Sequence, residues 1–385
     1  MSITEQRLYP AQKGRMTLVE KLREMHWTII ILLAVVACIG FAMLYSVSDG
    51  SFEPYASRQI VRFCAGIGIL LAIGVVDIRI WLRAAYPIYF VALVLIAAVD
   101  AVGIVGGGSQ RWLDLGVFQL QPSEIMKVGI VLALARYYHG RSLEETQSYT
   151  GLILPFILIG VPAGLILKQP DLGTAILICA TGVAIMFLAG VKARVFGIGF
   201  GLVVAAVPIV WPFLRDYQKG RILTFLDPSR DPLGQGYHSM QSMIALGSAG
   251  VTGKGFMHGT QSHLNFLPEH HTDFIFTMLA EEFGLVGGLF LLALYVAIIA
   301  AGMSAAMQAR NQFARLVGTG IVVAFSVYVF INVAMVMGLL PIVGVPLPLV
   351  SYGGTAMMTI LIGFGFVMSA YVHRDVNLSK TGATV

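Results

Sequence analysis

Three carboxylates lie at the start of, and inside, one long apolar run. The stretch LPEHHTDFIFTMLAEEFG, residues 267–284, places Asp273 where polar sequence gives way to apolar sequence, and Glu281 and Glu282 follow within the run. Ionisable groups at membrane depth are costly, so each one is a functional candidate. Asp273 has two interpretations: a general base that removes a proton from a substrate, or a carboxylate that caps the N-terminus of a helix.

Helix geometry separates the two deeper acids from Asp273. With a rise of about 1.5 Å and a turn of about 100° per residue, Glu281 lies roughly 12 Å deeper than Asp273 and roughly 80° round the helix. Glu282 points away from Asp273. The two glutamates cannot both serve one pocket, so we expect at least one of them to pair with another helix in a structural role.

A second polar group interrupts an earlier apolar run. The stretch QRWLDLGVFQLQPSEIMK supplies Arg111, and then Glu124 and Lys127 in the first turns of a helix. A neutralising pair within that helix is one interpretation of Glu124 and Lys127. A polar cleft that binds substrate is the other. In KQPDLGTA, Asp171 is expected to cap the helix that follows it.

Cations are frequent near the ends of the apolar runs and in the long polar stretch 215–272. Cations beside a carboxylate at the lipid boundary suit a lipid diphosphate, because they hold the leaving group while the carboxylate removes a proton. For the loop cations a solvated surface is the alternative. The sequence GSAGVTGKG does not fit a phosphate-binding loop, because Ser248 and Gly255 break the GxxxxGK[ST] pattern. The candidate substrate-binding residues are Arg58, Arg62, Arg111, Glu124, Lys127, Lys254, Ser351 and Tyr352.

A tightly built metal site is not expected. Glu269, His270, His271 and Asp273 lack a spacing that would place several ligands on one helix face. A loosely held divalent cation, Mg²⁺ or Mn²⁺, that bridges Asp273 and a substrate diphosphate is expected instead.

The composition identifies the elements that must position these groups. Hydrophobic residues make up 57% of the 385 residues and charged residues only 12%, whereas a soluble domain carries about 25% charged residues. The apolar runs are long and unbroken, which predicts membrane-spanning helices rather than barrel strands. The fold class is therefore all-α, a polytopic integral membrane protein. Three cysteines within these runs are expected to be free and buried.

Ten spans are predicted. They are residues 27–47, 58–77, 84–104, 122–138, 151–168, 171–190, 195–214, 273–303, 316–338 and 353–373. The chain then divides into an N-terminal segment at 1–26, spans one to seven within 27–214, a large loop at 215–272, spans eight to ten within 273–373, and a tail at 374–385. Within the first segment, residues 16–26 have the apolar spacing of an interfacial amphipathic helix.

Lysine and arginine in the short connections set the predicted orientation. Every segment that lies on the same side of the membrane as the N-terminus carries at least two lysines or arginines, which favours a cytoplasmic N-terminus. Ten spans then place both termini in the cytoplasm. The loop 215–272 and Asp273 lie on the extracytoplasmic face.

Several long segments resemble one family of membrane proteins. They are QRWLDLGVFQLQPSEIMK, QPDLGTA, DPLGQGYHSMQSMIALGSAGVTGKG, HGTQSHLNFLPEHHTDFIFTMLAEEFGLVG and GLLPIVGVPLPLVSYGG, which follow one another between about residue 30 and residue 375. In these segments the chain resembles the shape, elongation, division and sporulation (SEDS) family. VGVPLPLVSYGG, GYH and FLPExHTDFIF resemble its rod-shape branch more than its division branch.

The resemblance implies a peptidoglycan glycosyltransferase of the bacterial inner (cytoplasmic) membrane. Such proteins polymerise lipid II for cell wall growth and cell shape, and work with a class B penicillin-binding protein, a transpeptidase. The family's essential acid matches Asp273, and its polar pair matches Glu124 and Lys127. The mechanism we expect is an inverting displacement of undecaprenyl diphosphate with Asp273 as the base. Membrane lipid is the surrounding partner, and no nucleic-acid partner is expected.

Two other functions remain open on the residues alone. Ten spans with buried acids also suit a transporter, for example a flippase for a lipid-linked precursor. A non-catalytic scaffold for a transpeptidase is the third hypothesis. Acids near the outer surface and a large outside loop favour chemistry at that surface over a translocation site at the membrane midplane.

Overall fold

Long helices dominate the part of the chain that the structure describes. The computed structural model describes residues 16–106, 109–114, 116, 119–213, 216–228, 235–259 and 271–378. Its helices are α1 (Leu18–Arg23), α2 (Trp27–Val47), α3 (Ala56–Val75), α4 (Ile78–Val102), α5 (Pro122–Tyr138), α6 (Leu143–Gln147), α7 (Thr150–Lys168), α8 (Leu172–Leu188), α9 (Ala193–Val210), α10 (Asp216–Leu226), α11 (Gln235–Ser248), α12 (Ile275–Met307), α13 (Gln312–Val336) and α14 (Gly354–Val372). The predicted all-α class is confirmed.

Ten of these helices correspond to the ten predicted spans. Within the described residues, eight are long and apolar enough to cross a membrane, namely α2, α3, α4, α7, α9, α12, α13 and α14. The other two, α5 and α8, have 17 residues each. Helix α8 is apolar, whereas α5 carries Glu124, Lys127 and Arg136. The chain is therefore a multi-pass membrane protein.

The centre of the bundle is formed by α5, α13 and α14. In α5, even Glu124 and Lys127 are buried, and α13 and α14 bury most of their length. Helix α14 packs along α3, and α13 packs against α12, α14, α8 and α5. Helix α9 differs, because no residue of it is buried within the protein. Polar groups on α5 and α13 are thus held among protein side chains rather than lipid.

Sequence reasoning missed the structure of two connections. A three-stranded antiparallel sheet, β1 (Ile104–Gly106), β2 (Ser109–Asp114) and β3 (Gln119–Leu120), follows α4. Its register pairs Ile104 with Trp112, and Leu113 with Leu120. The long loop contains α10 and α11, and α11 packs against α12. Both connections therefore dock on the helices that carry the candidate site.

Two smaller predictions have different outcomes. A helix is present in the predicted segment near the N-terminus as α1, which is capped by Thr17 through a capping box and exposes Leu18 and Val19; its place at the membrane interface stays a prediction. The cysteines are free as expected. Cys38 and Cys64 are exposed on the outside of the bundle, so the prediction that all three are buried is wrong. In lipid an outward-facing apolar side chain carries no cost, which is why burial could not be inferred from the apolar runs.

Candidate active site

Asp273 lies at the entrance to α12 and is half-buried. The N-cap position of α12 belongs to Phe274, the residue that follows Asp273, and the two interpretations of Asp273, base and helix cap, both stay predictions. The Oδ2 atom of Asp273 lies 3.5 Å from the point that a Cβ on Gly344 would occupy. Gly344 has φ +71°, a conformation that favours glycine. The main chain of Gly344, with no side chain, therefore lies beside the Asp273 carboxylate.

One buried amide holds Asp273 in place. The side-chain nitrogen of Asn332 on α13 donates to the carbonyl oxygen of Asp273 at 2.9 Å and to that of Val345 at 2.6 Å. Asn332 is fully buried. Its amide fixes the entrance of α12 against the connection 341–350. Sequence reasoning missed Asn332, although an amide inside an apolar helix is a signal, since buried polar groups are almost always hydrogen-bonded.

Replacing Asn332 with leucine is expected to lower the turnover number at least tenfold and to reduce thermal stability. Two buried carbonyls would lose their donor, and each unsatisfied group costs about 1–3 kcal/mol. Polymer yield and the unfolding temperature of the purified variant measure the two effects. Ser326→Ala on the same helix is the matched control, because that hydroxyl bonds only the Val322 carbonyl one turn back. An Asn332→Leu enzyme with full turnover would contradict a positioning role.

The Glu124–Lys127 pair lies one helical turn from this anchor. The Lys127 ammonium contacts Glu124 Oε1 at 2.6 Å, donates to the hydroxyl of Tyr328 and lies 4.4 Å from the centre of the Tyr328 ring. Tyr328 also donates to Glu124 at 3.3 Å. Tyr328 precedes Asn332 by four residues on α13, a distance of about 6 Å along the axis.

The predicted intrahelical pair of Glu124 and Lys127 is therefore present. The pair also contacts a residue of another helix. Glu124 is 5% exposed and Lys127 8% exposed. Together with Tyr328 they form a buried polar cluster between α5 and α13. Its position near Asp273 is compatible with the polar cleft that the sequence suggested, and substrate binding by the pair stays a prediction.

Arg111 is carried to the same region by the sheet. From β2 its guanidinium donates to the Pro170 carbonyl at 2.6 Å and lies 3.8 Å from Asp171 Oδ2. Asp171 caps α8 by accepting from the Thr174 amide at 3.1 Å, as predicted. The α8 start also abuts the connection 341–350, because a Cβ on Gly173 would lie 2.6 Å from the Val343 carbonyl oxygen. About a quarter of the Arg111 side chain stays accessible.

The SYGG segment supports the residues just before Asp273. The Ser351 hydroxyl donates to the Thr272 carbonyl at 2.5 Å and accepts from the Leu347 amide at 2.7 Å. The Tyr352 amide donates to the His271 carbonyl at 2.9 Å. Ser351 is 3% exposed, and its hydroxyl supports the backbone of this segment; substrate binding by Ser351 stays a prediction.

The cations of α3 have different environments. Arg62 lies over the ring of Tyr352 with 5.4 Å to its centre, and Gly354 leaves room for the guanidinium. Gln59, on the same helix, donates to the Ser351 carbonyl at 2.9 Å. Arg58 is exposed. Arg62 and Tyr352 thus lie together beside the segment that leads to Asp273, whereas Arg58 faces outward.

Lys254, Glu281 and Glu282 each have a partner in the fold. The Lys254 ammonium contacts Glu281 Oε1 at 2.6 Å, and Glu282 accepts from the Ser46 hydroxyl of α2. The expectation that at least one of the two glutamates pairs with another helix is confirmed by the contact between Glu282 and Ser46. A diphosphate contact for Lys254 stays a prediction. Among the described residues no group of three or more His, Cys, Asp or Glu could hold a metal ion, and Glu269 and His270 lie outside the described residues.

A separate polar cavity lies at the other end of α5. It has a volume of about 540 Å³ and is lined by residues between Tyr137 and Gly151. The predicted site residues on α5, Glu124 and Lys127, are in its first turns, whereas Tyr137 is in its last. This cavity contains none of the predicted site residues.

Almost the whole chain matches one family of known proteins. The model of the FtsW/RodA/SpoVE family, described as cell cycle protein, covers residues 24–376. The chain belongs to this family. The peptidoglycan glycosyltransferase MrdB of Escherichia coli strain K12 is 45% identical over 92% of this chain and 95% of the relative. The probable peptidoglycan glycosyltransferase FtsW of Geobacter metallireducens is 32% identical over 89% of this chain and 94% of the relative.

Solved structures share the fold of this FtsW/RodA/SpoVE family member. A chain from a peptidoglycan synthase complex that coordinates polymerization and crosslinking is 34% identical with a TM-score of 0.79, over 91% of this chain and 98% of that chain. The rod shape determining protein RodA of Thermus thermophilus is 27% identical with a TM-score of 0.69, over 92% and 98%. The predicted resemblance to the rod-shape branch is confirmed.

Proposed function

We propose that this chain is a peptidoglycan glycosyltransferase that polymerises lipid II, with Asp273 as its general base. The names of its relatives support the enzyme class. The observation that carries the assignment of the base is the position of Asp273. Its carboxylate is half-buried beside the Gly344 backbone, its carbonyl is held by Asn332, and a buried polar cluster lies one helical turn from Asn332.

The reaction is one inverting displacement. Asp273 removes the proton from the 4-hydroxyl of the N-acetylglucosamine on the acceptor, and that oxygen attacks the anomeric carbon of the donor's N-acetylmuramic acid. The bond from this carbon to the diphosphate oxygen breaks on the opposite face, so the α-linkage becomes β and undecaprenyl diphosphate leaves. One base suffices, in contrast to glycosidases, which use two carboxylates.

Cations of the site balance the charge of the leaving group. Arg111 keeps about a quarter of its side chain accessible, and Lys127 is paired with Glu124 and contacts Tyr328, one helical turn from Asn332. Preorganised positive charge of this kind stabilises a developing phosphate anion. Asp273 is the protein ligand that a divalent cation would use, with substrate diphosphate and water completing its oxygen coordination.

Chelation of divalent cations is expected to lower polymerisation at least tenfold. Mg²⁺ or Mn²⁺ would neutralise the diphosphate, and the site supplies few protein ligands, so EDTA should remove the ion readily. The measurement is polymer yield from purified protein in EDTA, and again after each ion is added back. Thermal unfolding in EDTA is the control for the fold. Full activity in EDTA would contradict the metal proposal without touching the role of Asp273.

The proposed activity is tested directly with purified protein. Lipid II is supplied in detergent, where no membrane separates enzyme from substrate, and glycan strands are resolved on a gel. A flippase makes no strands in this assay, and neither does a scaffold. Polymer from the protein alone therefore excludes both alternatives, and its absence even with the transpeptidase present contradicts the proposal.

The same proposal includes the location, the orientation and the partner of the chain. The chain lies in the bacterial inner membrane with both termini in the cytoplasm, and Asp273 faces the extracytoplasmic side. The partner is a class B penicillin-binding protein of the elongation machinery, and the similarity to a chain of a peptidoglycan synthase complex supports such an assembly. Labelling of single cysteines in the tail after residue 374 and near Asp273, from each side of the membrane, tests the orientation.

A further inference from the structure

Helix α12 is broken nine residues after it begins. Gly284 has φ +70° and ψ −165°, which is not helical, and the helix continues on the other side. In a continuous helix the amides of Leu285 and Val286 would donate to the carbonyls of Glu281 and Glu282, four residues back. At the break these four backbone groups need other partners, because they are buried or lie at membrane depth.

The loop after α11 supplies all four partners. The Leu285 and Val286 amides donate to the Gly250 and Val251 carbonyls at 3.1 and 3.2 Å. The Glu281 and Glu282 carbonyls accept from the amides of residues 254 and 255, each at 3.0 Å. Residues 250–255, which we name the clasp, therefore stand between the two halves of α12 and replace two helical hydrogen bonds with four.

Two glycines allow this close approach. A Cβ on Gly253 would lie 2.2 Å from the Glu282 carbonyl oxygen, and a Cβ on Gly284 would lie 2.3 Å from the Gly253 amide nitrogen. Both residues have positive φ, +79° and +70°. A side chain at either position would collide with backbone, so the clasp depends on glycine at both.

Side chains add to the clasp on two sides. Lys254 contacts Glu281 at 2.6 Å, and this carboxylate is fully buried whereas about a quarter of the lysine is accessible. On another side, Glu282 accepts from Ser46 of α2. The segment 275–283 is thus attached to the loop and to a neighbouring helix next to the break.

We propose that Lys254 is a positioning residue: its ion pair with Glu281, with the clasp, fixes the tilt of the segment 275–283 and thereby the place of Asp273. From Gly284 to Asp273 the segment extends about 16 Å. A tilt of about 10° at the break would move the carboxylate by about 3 Å, comparable to the separation of reacting atoms. This inference rests on the proposed function. It gives Lys254 a positioning role in place of the predicted direct contact with the substrate diphosphate.

The test separates positioning from substrate binding. For Lys254→Met we expect the turnover number to fall at least tenfold, with KM for lipid II changed less than twofold. Lys254→Arg should keep most of the turnover. Lys254→Met combined with Glu281→Gln should regain at least fivefold over Lys254→Met, because glutamine leaves no negative charge at the buried position from which the lysine charge has been removed. Hydrogen exchange in the peptide 275–283 should be faster in Lys254→Met and unchanged in Lys254→Arg.

The controls keep each outcome decisive. Lys219→Met, which alters a lysine of the same loop whose ammonium donates to the Pro212 carbonyl at 3.3 Å, should leave turnover and KM unchanged. A raised KM with normal turnover in Lys254→Met, and no gain in the double variant, would show direct substrate contact and overturn the inference. If Lys254→Met cannot be purified, Glu281→Gln removes the same ion pair.

Asp273→Asn is measured in parallel. If Asp273→Asn is active, the proposed function fails. If Asp273→Asn is inactive and Lys254→Met has normal turnover, only the positioning role of Lys254 is refuted.

Discussion

Replacing Asp273 with asparagine is expected to reduce glycan polymerisation at least about 1,000-fold, since a general base contributes about 10²–10⁴-fold to a rate. Asparagine keeps the shape of the side chain and cannot accept the proton of the attacking hydroxyl. The backbone anchor through Asn332 uses the carbonyl of residue 273 and survives the change. The measurement is strand length and yield from purified protein and lipid II.

The matched control for this prediction is Asp114→Asn. Asp114 is exposed on β2, and its carboxylate accepts from the Gly116 amide within its own turn. It should leave polymer yield unchanged. Both variants should unfold at the temperature of the unmodified protein. Unmodified polymer yield from Asp273→Asn would reject the assignment of the base.

Replacing Lys127 with methionine is expected to cause the second large loss. Glu124 would keep a negative charge at a position that is 5% exposed, with its cation removed. Breaking one side of a buried pair costs about 3–5 kcal/mol. The contact with the Tyr328 ring would also go. We therefore expect lower purified yield, a lower unfolding temperature and no polymer.

A double variant separates the structural role of this pair from substrate binding. Lys127→Met with Glu124→Gln leaves no net charge in the cluster, so thermal stability should return to near that of the unmodified protein. If the pair also binds substrate, polymerisation stays at least tenfold below normal. Recovery of both stability and activity would mean that the pair only supports the fold.

The helices were predictable because lipid imposes one rule on every span. A run of about 20 apolar residues must satisfy its backbone internally, so it is helical wherever it occurs. The boundaries followed from the same runs to within a few residues. The connections have no such rule. Helix α11 has the sequence QGYHSMQSMIALGS, in which polar and apolar residues alternate without a single strong period, and its docking on α12 decides that it is helical.

Single candidate residues could be proposed from the sequence, whereas the contacts between them could not. Asp273, Glu124 and Lys127 were found because charge at membrane depth requires a reason. Lys254 was assigned to phosphate because its partner, Glu281, comes after the polar loop has ended and only the folded chain brings the two together. Asn332 is visible in the sequence as an amide inside an apolar run, but its partners are backbone carbonyls that only the folded chain identifies.

The length of α12 has a consequence for where the chemistry takes place. Its 33 residues would extend about 50 Å, whereas the hydrocarbon layer is about 30 Å thick. Residues 285–307, beyond the break, already cover about 35 Å and suffice to cross it. We therefore expect the nine residues before the break to be surplus to crossing and to place Asp273 at the level of the lipid headgroups. A sugar carried on a lipid diphosphate sits at that height while its tail stays in the oily layer, so neither reactant has to leave the bilayer to react.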